Sequence, residues 1–299
     1  MTQKLTIVVT CADRKSAPVQ DGLRIRDLPP ASMEDRAASW SRRLRHADDT
    51  VPLRDLYQGE TWSQVSVLER AVEKAGYQPR TLVASAGVGL RPIDYRAPAY
   101  GATFTRPHPD AVGNTTDLAK DWWRAMNSAD ATTDPDDGPL PALDGPMIWV
   151  LSESYAKVIA ADLLTRADTG GLLVFGGSED IPAGLRVPSN RALRHALGGT
   201  ATSLNLRMAI RWTELAGADG VHSPVVRDRW QQWAAGAEHH ERWNREPMTD
   251  GAVLEFITAL RRLEPALTKS RALRHLRDAG MACEQRRFGA LFTQSGARV

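Results

Sequence analysis

Cysteine is almost missing from this sequence. Its 299 residues hold only Cys11 and Cys283, at opposite ends, which argues against a disulfide framework and a cysteine-built zinc site and sets the expected location as the reducing cytoplasm. Long apolar runs are missing as well, so no segment is expected to span a bilayer and no membrane partner is expected. The opening stretch MTQKLTIVVTC has one lysine and a short β-branched apolar run without a small-residue cleavage site; it reads as a first strand and not as a signal peptide. No internal repeat or low-complexity tract is evident.

Net charge is small at +2, but it is unevenly spread. From Thr268 to Val299 the chain carries Lys269, Arg271, Arg274, Arg277, Arg286, Arg287 and Arg298 against Asp278 and Glu284. Such a local excess suits a phosphate-facing surface, and a solvated helix face gives the same pattern about as often.

The patterning predicts an α/β fold, a mostly parallel or mixed sheet flanked by helices, with a small helical carboxy-terminal segment. Strands are expected at Lys4 to Thr10, Thr81 to Ser85, Met147 to Leu151 and Leu172 to Phe175. Helices are expected at Met33 to His46, Thr61 to Ala75, Leu118 to Met126 and Tyr155 to Leu164, the alternation that makes a parallel sheet. Gly87, Gly89 and Pro92 predict a structured loop after Ser85, and Asn127 to Pro146 an exposed excursion. Ala192 to Leu215 reads as helical around Gly198-Gly199. Arg227 to Arg245 reads as a polar helix or linker whose Trp230, Trp233 and Trp243 pack on the first domain. Three short helical patterns follow, Asp250 to Leu263, Lys269 to Ala279 and Glu284 to Phe292, resembling a helix-turn-helix or any small bundle. Two domains are expected, 1–220 and 221–299.

Thr10-Cys11-Ala12-Asp13-Arg14-Lys15 puts a thiol, a carboxylate and two cations at the end of a buried strand, where ligands gather in open α/β sheets. A nearby cation raises the thiolate fraction of a cysteine; the plainer reading, the commoner one on spacing alone, makes Cys11 a small buried hydrophobe and Lys15 a surface charge. A second block runs Ser85-Ala-Gly87-Val-Gly89-Leu-Arg91-Pro92-Ile-Asp94-Tyr95. Its glycines let backbone amides approach a ligand, Arg91 suits a phosphate or carboxylate, and Asp94 suits a base edge or a water; a tight turn explains the same glycines equally well. Asp180, Arg186, Ser189, Asn190 and Arg191 follow Gly176-Gly177-Ser178 and fit either a pocket wall or a helix start capped by Ser189. His239-His240 with His222 make poor joint ligands, so no metal is expected, and no cofactor. His108 reads as a loop residue and Cys283 as a small core residue.

Together the two blocks resemble a known family. A strand ending in Cys-x3-Lys, paired with a later one ending in Ser-x3-Gly-x2-Pro, resembles the core domain of archaeosine synthase, which acts on a cyano-deazaguanine base in tRNA. Arg54-Asp-Leu-Tyr57-Gln-Gly59 and the segment from Ser85 to Tyr100 are similar to the YaaA family, with its Tyr-x-Gly turn and Arg-Pro-x-Asp loop. A similar domain occurs in the DpdC proteins of DNA deazaguanine-modification clusters. The resemblance spans residues 5 to 110 and extends toward 215. Cys11 and Lys15 carry over from the first motif and Ser85, Gly89 and Pro92 from the second, whereas Thr10, Ser16, Ala17, Gln20 and Leu23 depart from archaeosine synthase. The resemblance implies a modified base and a nucleic-acid partner, DNA ahead of RNA. It also implies catalysis by Cys11, Lys15 and Asp13, with Ser85, Gly87, Gly89, Arg91, Asp94 and Tyr57 binding substrate. Lys269, Arg271, Arg274, Arg277, Arg286 and Arg287 are expected to hold phosphates. The expected reaction is hydration of a nitrile to an amide through a cysteine thioimidate; the alternative is a non-catalytic DNA-binding protein of YaaA type.

Overall fold

A computed structural model describes residues 3–128, 143, 145–166, 171–239 and 246–296. It divides into two compact units, 1–239 and 240–299.

In the first unit a six-stranded sheet has the order β4-β3-β1-β6-β7-β8. These strands are β1 (Gln3–Thr10), β3 (Tyr77–Ser85), β4 (Gly89–Pro92), β6 (Met147–Leu151), β7 (Leu172–Gly176) and β8 (Arg186–Val187); β2 (Val51–Pro52) and β5 (Arg96–Ala97) form a separate small pair. Leu5 to Val9 of β1 are all buried because β1 lies between β3 and β6, parallel to both, which explains a run that is apolar but for Thr6. The helices that flank the sheet pack in two groups. One contains α1 (Met33–Arg45), α4 (Thr116–Met126) and α5 (Glu153–Arg166); the other contains α3 (Glu60–Lys74), α7 (Leu204–Ala216) and α8 (Pro224–Ala237). The short helices α2 (Leu53–Leu56) and α6 (Arg194–Leu197) complete the unit.

Two expectations change here. The segment after Ser85 is not a loop but the return arm of a hairpin: β4 pairs antiparallel with β3, Ser85 opposite Gly89 and Val83 opposite Arg91. Asn127 makes this possible, since its Oδ1 accepts from Leu90 N at 2.9 Å while Gly89 turns at φ +73 against it. The division between units falls after His239 and not at 220. Helix α8 belongs to the first unit because Trp230 is buried against Trp212 of α7, 5.7 Å between ring centroids, with Trp233 tilted against Trp230 at 5.2 Å. Trp243, His240 and most of the expected excursion lie outside the described residues.

The second unit holds β9 (Glu246–Pro247), α9 (Asp250–Leu263), α10 (Lys269–Asp278), β10 (Met281–Ala282) and α11 (Gln285–Gly296). Val253, Ile257, Leu273, Leu276, Cys283 and Phe288 form its core, so Cys283 is the small apolar residue that the sequence suggests. Among the described residues no helix is long and apolar enough to cross a membrane.

Candidate functional site

The chain leaves β1 at Thr10, and Cys11 N is still tied to Ala84 O at 3.1 Å. Cys11 is therefore fixed beside the end of β3. The next turn folds back on itself: Lys15 Nζ donates to the carbonyls of Ala12 and Asp13, both at 3.0 Å. The loop is then pinned to the segment around Tyr57 by Ser16 N to Leu56 O at 2.8 Å and Gln58 N to Arg14 O at 2.9 Å. Two of the three ammonium protons are thus engaged by backbone. The same nitrogen lies 4.9 Å from the Tyr100 ring centroid and 5.4 Å from that of Tyr57, a cation held over two aromatic faces. Burial pulls the Lys15 ammonium below its usual value, with Cys11, Asp13 and Asp110 opposing that shift.

Beneath it lies a buried hydroxyl network. Ser85 Oγ and the Tyr100 phenol are 2.6 Å apart, Tyr100 meets the Tyr57 phenol, and Gly87 N donates to Ser85 Oγ at 3.0 Å. Burial raises both phenols well above the ordinary tyrosine range, so they act as neutral hydrogen-bonding groups at physiological pH. Gly87 has no room for a side chain, since a Cβ there would sit 2.1 Å from the Tyr100 ring. The indoles of Trp40 and Trp122 hold this turn from outside, donating to Gly87 O and Ala86 O at 2.7 Å each.

On the other side of Cys11, Tyr155, near the start of α5, places its phenol 3.1 Å from Cys11 Sγ. Cys11 as a residue is half-buried, packed against the core. Tyr155 packs edge-on against Phe104 at 5.0 Å, and Phe104 helps wall a cleft of about 410 Å³ that Arg106, Thr116, Ser154 and Lys157 also line. A larger cleft of about 910 Å³ lies between α1 and α4, away from these groups.

The fold thus gathers Cys11, Lys15, Tyr57, Ser85 and Gly87. Asp13 contributes its carbonyl, while its side chain is exposed. Arg91 and Asp94 are carried away by the hairpin, Arg91 by two residues or about 7 Å back along β3. The Arg91 guanidinium is buried over the Tyr95 ring at 5.4 Å and donates to Leu90 O, and Asp94 is an exposed partner of Arg54 at 3.3 Å. In the second unit Arg271 pairs with Glu264 at 2.6 Å and Arg287 with Asp250 at 2.5 Å. Lys269, Arg274 and Arg277 have no ion pair among the described residues.

The remaining candidates have local duties. Asn190, and not Ser189, caps the short turn at Arg191, accepting from Ala192 N. Ser189 donates to Asn205, Arg186 to Gly176 O, and Asp180 accepts from Ser178. His108 Nδ1 accepts from Asp110 N, and His222 is bonded to Met147 O, its value lowered by burial. Sequence reasoning passed over Tyr155 as a site residue. It sits four positions beyond the last residue of β6, so the strand-end rule applied to β1 would have flagged it here too.

No family model, no curated protein and no solved structure matches this chain. Fold and crevice therefore define a class only: an open α/β domain with a thiol, an ammonium and buried phenols at the carboxyl ends of adjacent strands.

Proposed function

We propose that the chain is a cytoplasmic nucleic-acid-modifying enzyme that hydrates the nitrile of a cyano-deazaguanine base to an amide through a Cys11 thioimidate. The observation that supports this reading is the half-buried Cys11 at the end of β1, near enough to the desolvated Lys15 ammonium for the two charges to act on each other. The family resemblance at Cys11, Lys15, Ser85, Gly89 and Pro92 supplies the substrate class.

The reaction balances with these two groups and one water. The Cys11 thiolate adds to the nitrile carbon, and the nitrogen takes a proton from Lys15, giving a thioimidate. Water adds to that carbon, its oxygen staying there and one proton going to nitrogen. Collapse breaks the C–S bond, releases the amide and returns the hydroxyl proton to the Lys15 amine. An ammonium whose proton affinity is lowered by burial suits both transfers. Because a base inside a duplex is out of reach, the nucleotide must be flipped out at a cost of a few kcal/mol.

Cys11→Ala, incubated with DNA containing cyano-deazaguanine, is expected to yield no amide nucleoside while binding that DNA as the parent does. Retained turnover sinks the mechanism. The second reading, DNA binding without chemistry, is favoured by exposed Lys269 and Arg274 on α10 with no acidic partner among the described residues. Nucleoside composition unchanged by the parent protein, with binding intact, selects it.

A further inference from the structure

Cys11 meets one hydrogen-bonding side chain within the crevice that the sequence did not suggest, and proton accounting gives that contact a direction. Tyr155 is buried, and burial, followed by the nearness of Cys11, raises its phenol well above the ordinary tyrosine range. It keeps its proton at every pH where the protein works. A thiolate has no proton to give and can only accept. Once Cys11 is ionised, the 3.1 Å contact therefore runs from the phenol to the sulfur. Thr103 opposes the rise, and its own hydroxyl oxygen accepts from Thr105 N at 3.0 Å.

The geometry points to Tyr155 as the positioning residue of the nucleophile, a phenol that holds the Cys11 sulfur in the crevice and stabilises its anionic form for attack on an electrophilic carbon. This deepens the reading above and rests on Cys11 being the reacting group, not on the nitrile. Two features support it. The Tyr155 ring is fixed by Phe104, so the hydroxyl cannot swing away without losing that contact. The Lys15 ammonium is tied to the Ala12 and Asp13 carbonyls, and Cys11 acts on it as a nearby charge. The phenol is the group in contact, and the cation acts from further off.

The test uses the full chain carrying Cys283→Ser, so that Cys11 is the one thiol, with iodoacetamide as the probe electrophile. Tyr155→Phe keeps the ring against Phe104 and removes the donor. Alkylation at pH 7 is expected to slow about tenfold, the loss of one hydrogen bond to a charged acceptor, and the deficit is expected to close as the pH is raised toward 10. Tyr155→His, which restores a donor, is expected to recover part of the rate, and it carries the test should the phenylalanine variant melt early. Alkylation at the parent rate in both variants, or a deficit that does not change with pH, overturns the assignment. Because no nucleic acid is involved, this result stands apart from the Cys11→Ala turnover assay: alkylation can slow as expected while nitrile hydration is absent, and then only the substrate class is wrong.

Discussion

Lys15 and Lys269 are the same side chain under opposite conditions. Lys15 is desolvated, bonded to two carbonyls and laid over two phenol rings, whereas Lys269 begins a solvent-facing helix with no acidic partner among the described residues. In the first setting the local dielectric is low, so a displacement of an ångström changes the energy and dissolved salt changes it little. In the second, salt screens each charge and only the number of charges counts. The crevice is built for one fixed geometry; the face of α10 is built for attraction without a fixed geometry.

The largest expected effect comes from challenging the rigidity of the crevice. Gly87→Ala drives a methyl to 2.1 Å from a Tyr100 ring that Ser85 and Tyr57 hold in place, and it is expected to destabilise the first unit by about 3 kcal/mol in urea unfolding. The contrasting substitution is Gly251→Ala in α9, where a Cβ meets nothing within 4 Å; there alanine is expected to be neutral or to stabilise by up to about 1 kcal/mol. A mild Gly87→Ala would mean that the ring yields, and the contrast between the regions would fail.

Next in size is Asp110, whose side chain is 3% exposed and takes a two-point bond from Arg26 at 2.7 and 2.6 Å. That bond, opposed by burial, holds the carboxyl below its ordinary value of 3.8. A carboxylate depressed by folding contributes stability above its unfolded value and loses that contribution as the pH falls through the folded one. Asp110→Asn is therefore expected to cost about 2 kcal/mol at pH 7, with the gap to the parent narrowing below pH 3.8. Asp250→Asn, which removes the exposed partner of Arg287, is expected to cost under about 1 kcal/mol. Equal costs in urea titrations at pH 7 would erase the difference between the two regions.

What could be read in the sequence follows from how local each feature is. The run Leu5 to Val9 announces a doubly covered strand because burial on both faces leaves no polar alternation. Cys11 and Lys15 are joined by a turn four residues long, so their meeting is written in adjacent letters. Tyr155 lies 144 positions from Cys11; its place just past the end of β6 marks it as a candidate, but nothing local says that it meets that sulfur. Arg91 misled for the opposite reason. It is close to Ser85 in the chain, but pairing with Val83 turns that closeness into separation along the strand. The glycines and proline of that stretch read as breakers, when an Asn127 side chain from the end of α4 is what pins β4 to its register. The packing of Trp230 on the first domain was legible in its indoles, but a boundary at 220 cut that helix away from the unit it packs on.

The smallest expected effect tests the other side of the comparison. If the α10 face attracts phosphates by charge count alone, each cation that contacts a phosphate adds about 0.9 to the slope of log affinity against log salt on duplex DNA. Lys269, Arg274 and Arg277, which have no ion pair among the described residues, should each lower that slope when changed to alanine, on any sequence and by similar amounts. Arg271 should lower it less, because its guanidinium is already held by Glu264 at 2.6 Å and meets a phosphate only if that pair opens. The discriminating experiment is the set of four single alanine variants titrated from 50 to about 200 mM salt, the range over which counterion release dominates. A slope lowered as much by Arg271→Ala as by Arg274→Ala would show that the Glu264 pair opens on contact with phosphate; a slope unchanged in all four would remove nucleic acid from this face while leaving the Cys11 crevice and its chemistry untouched.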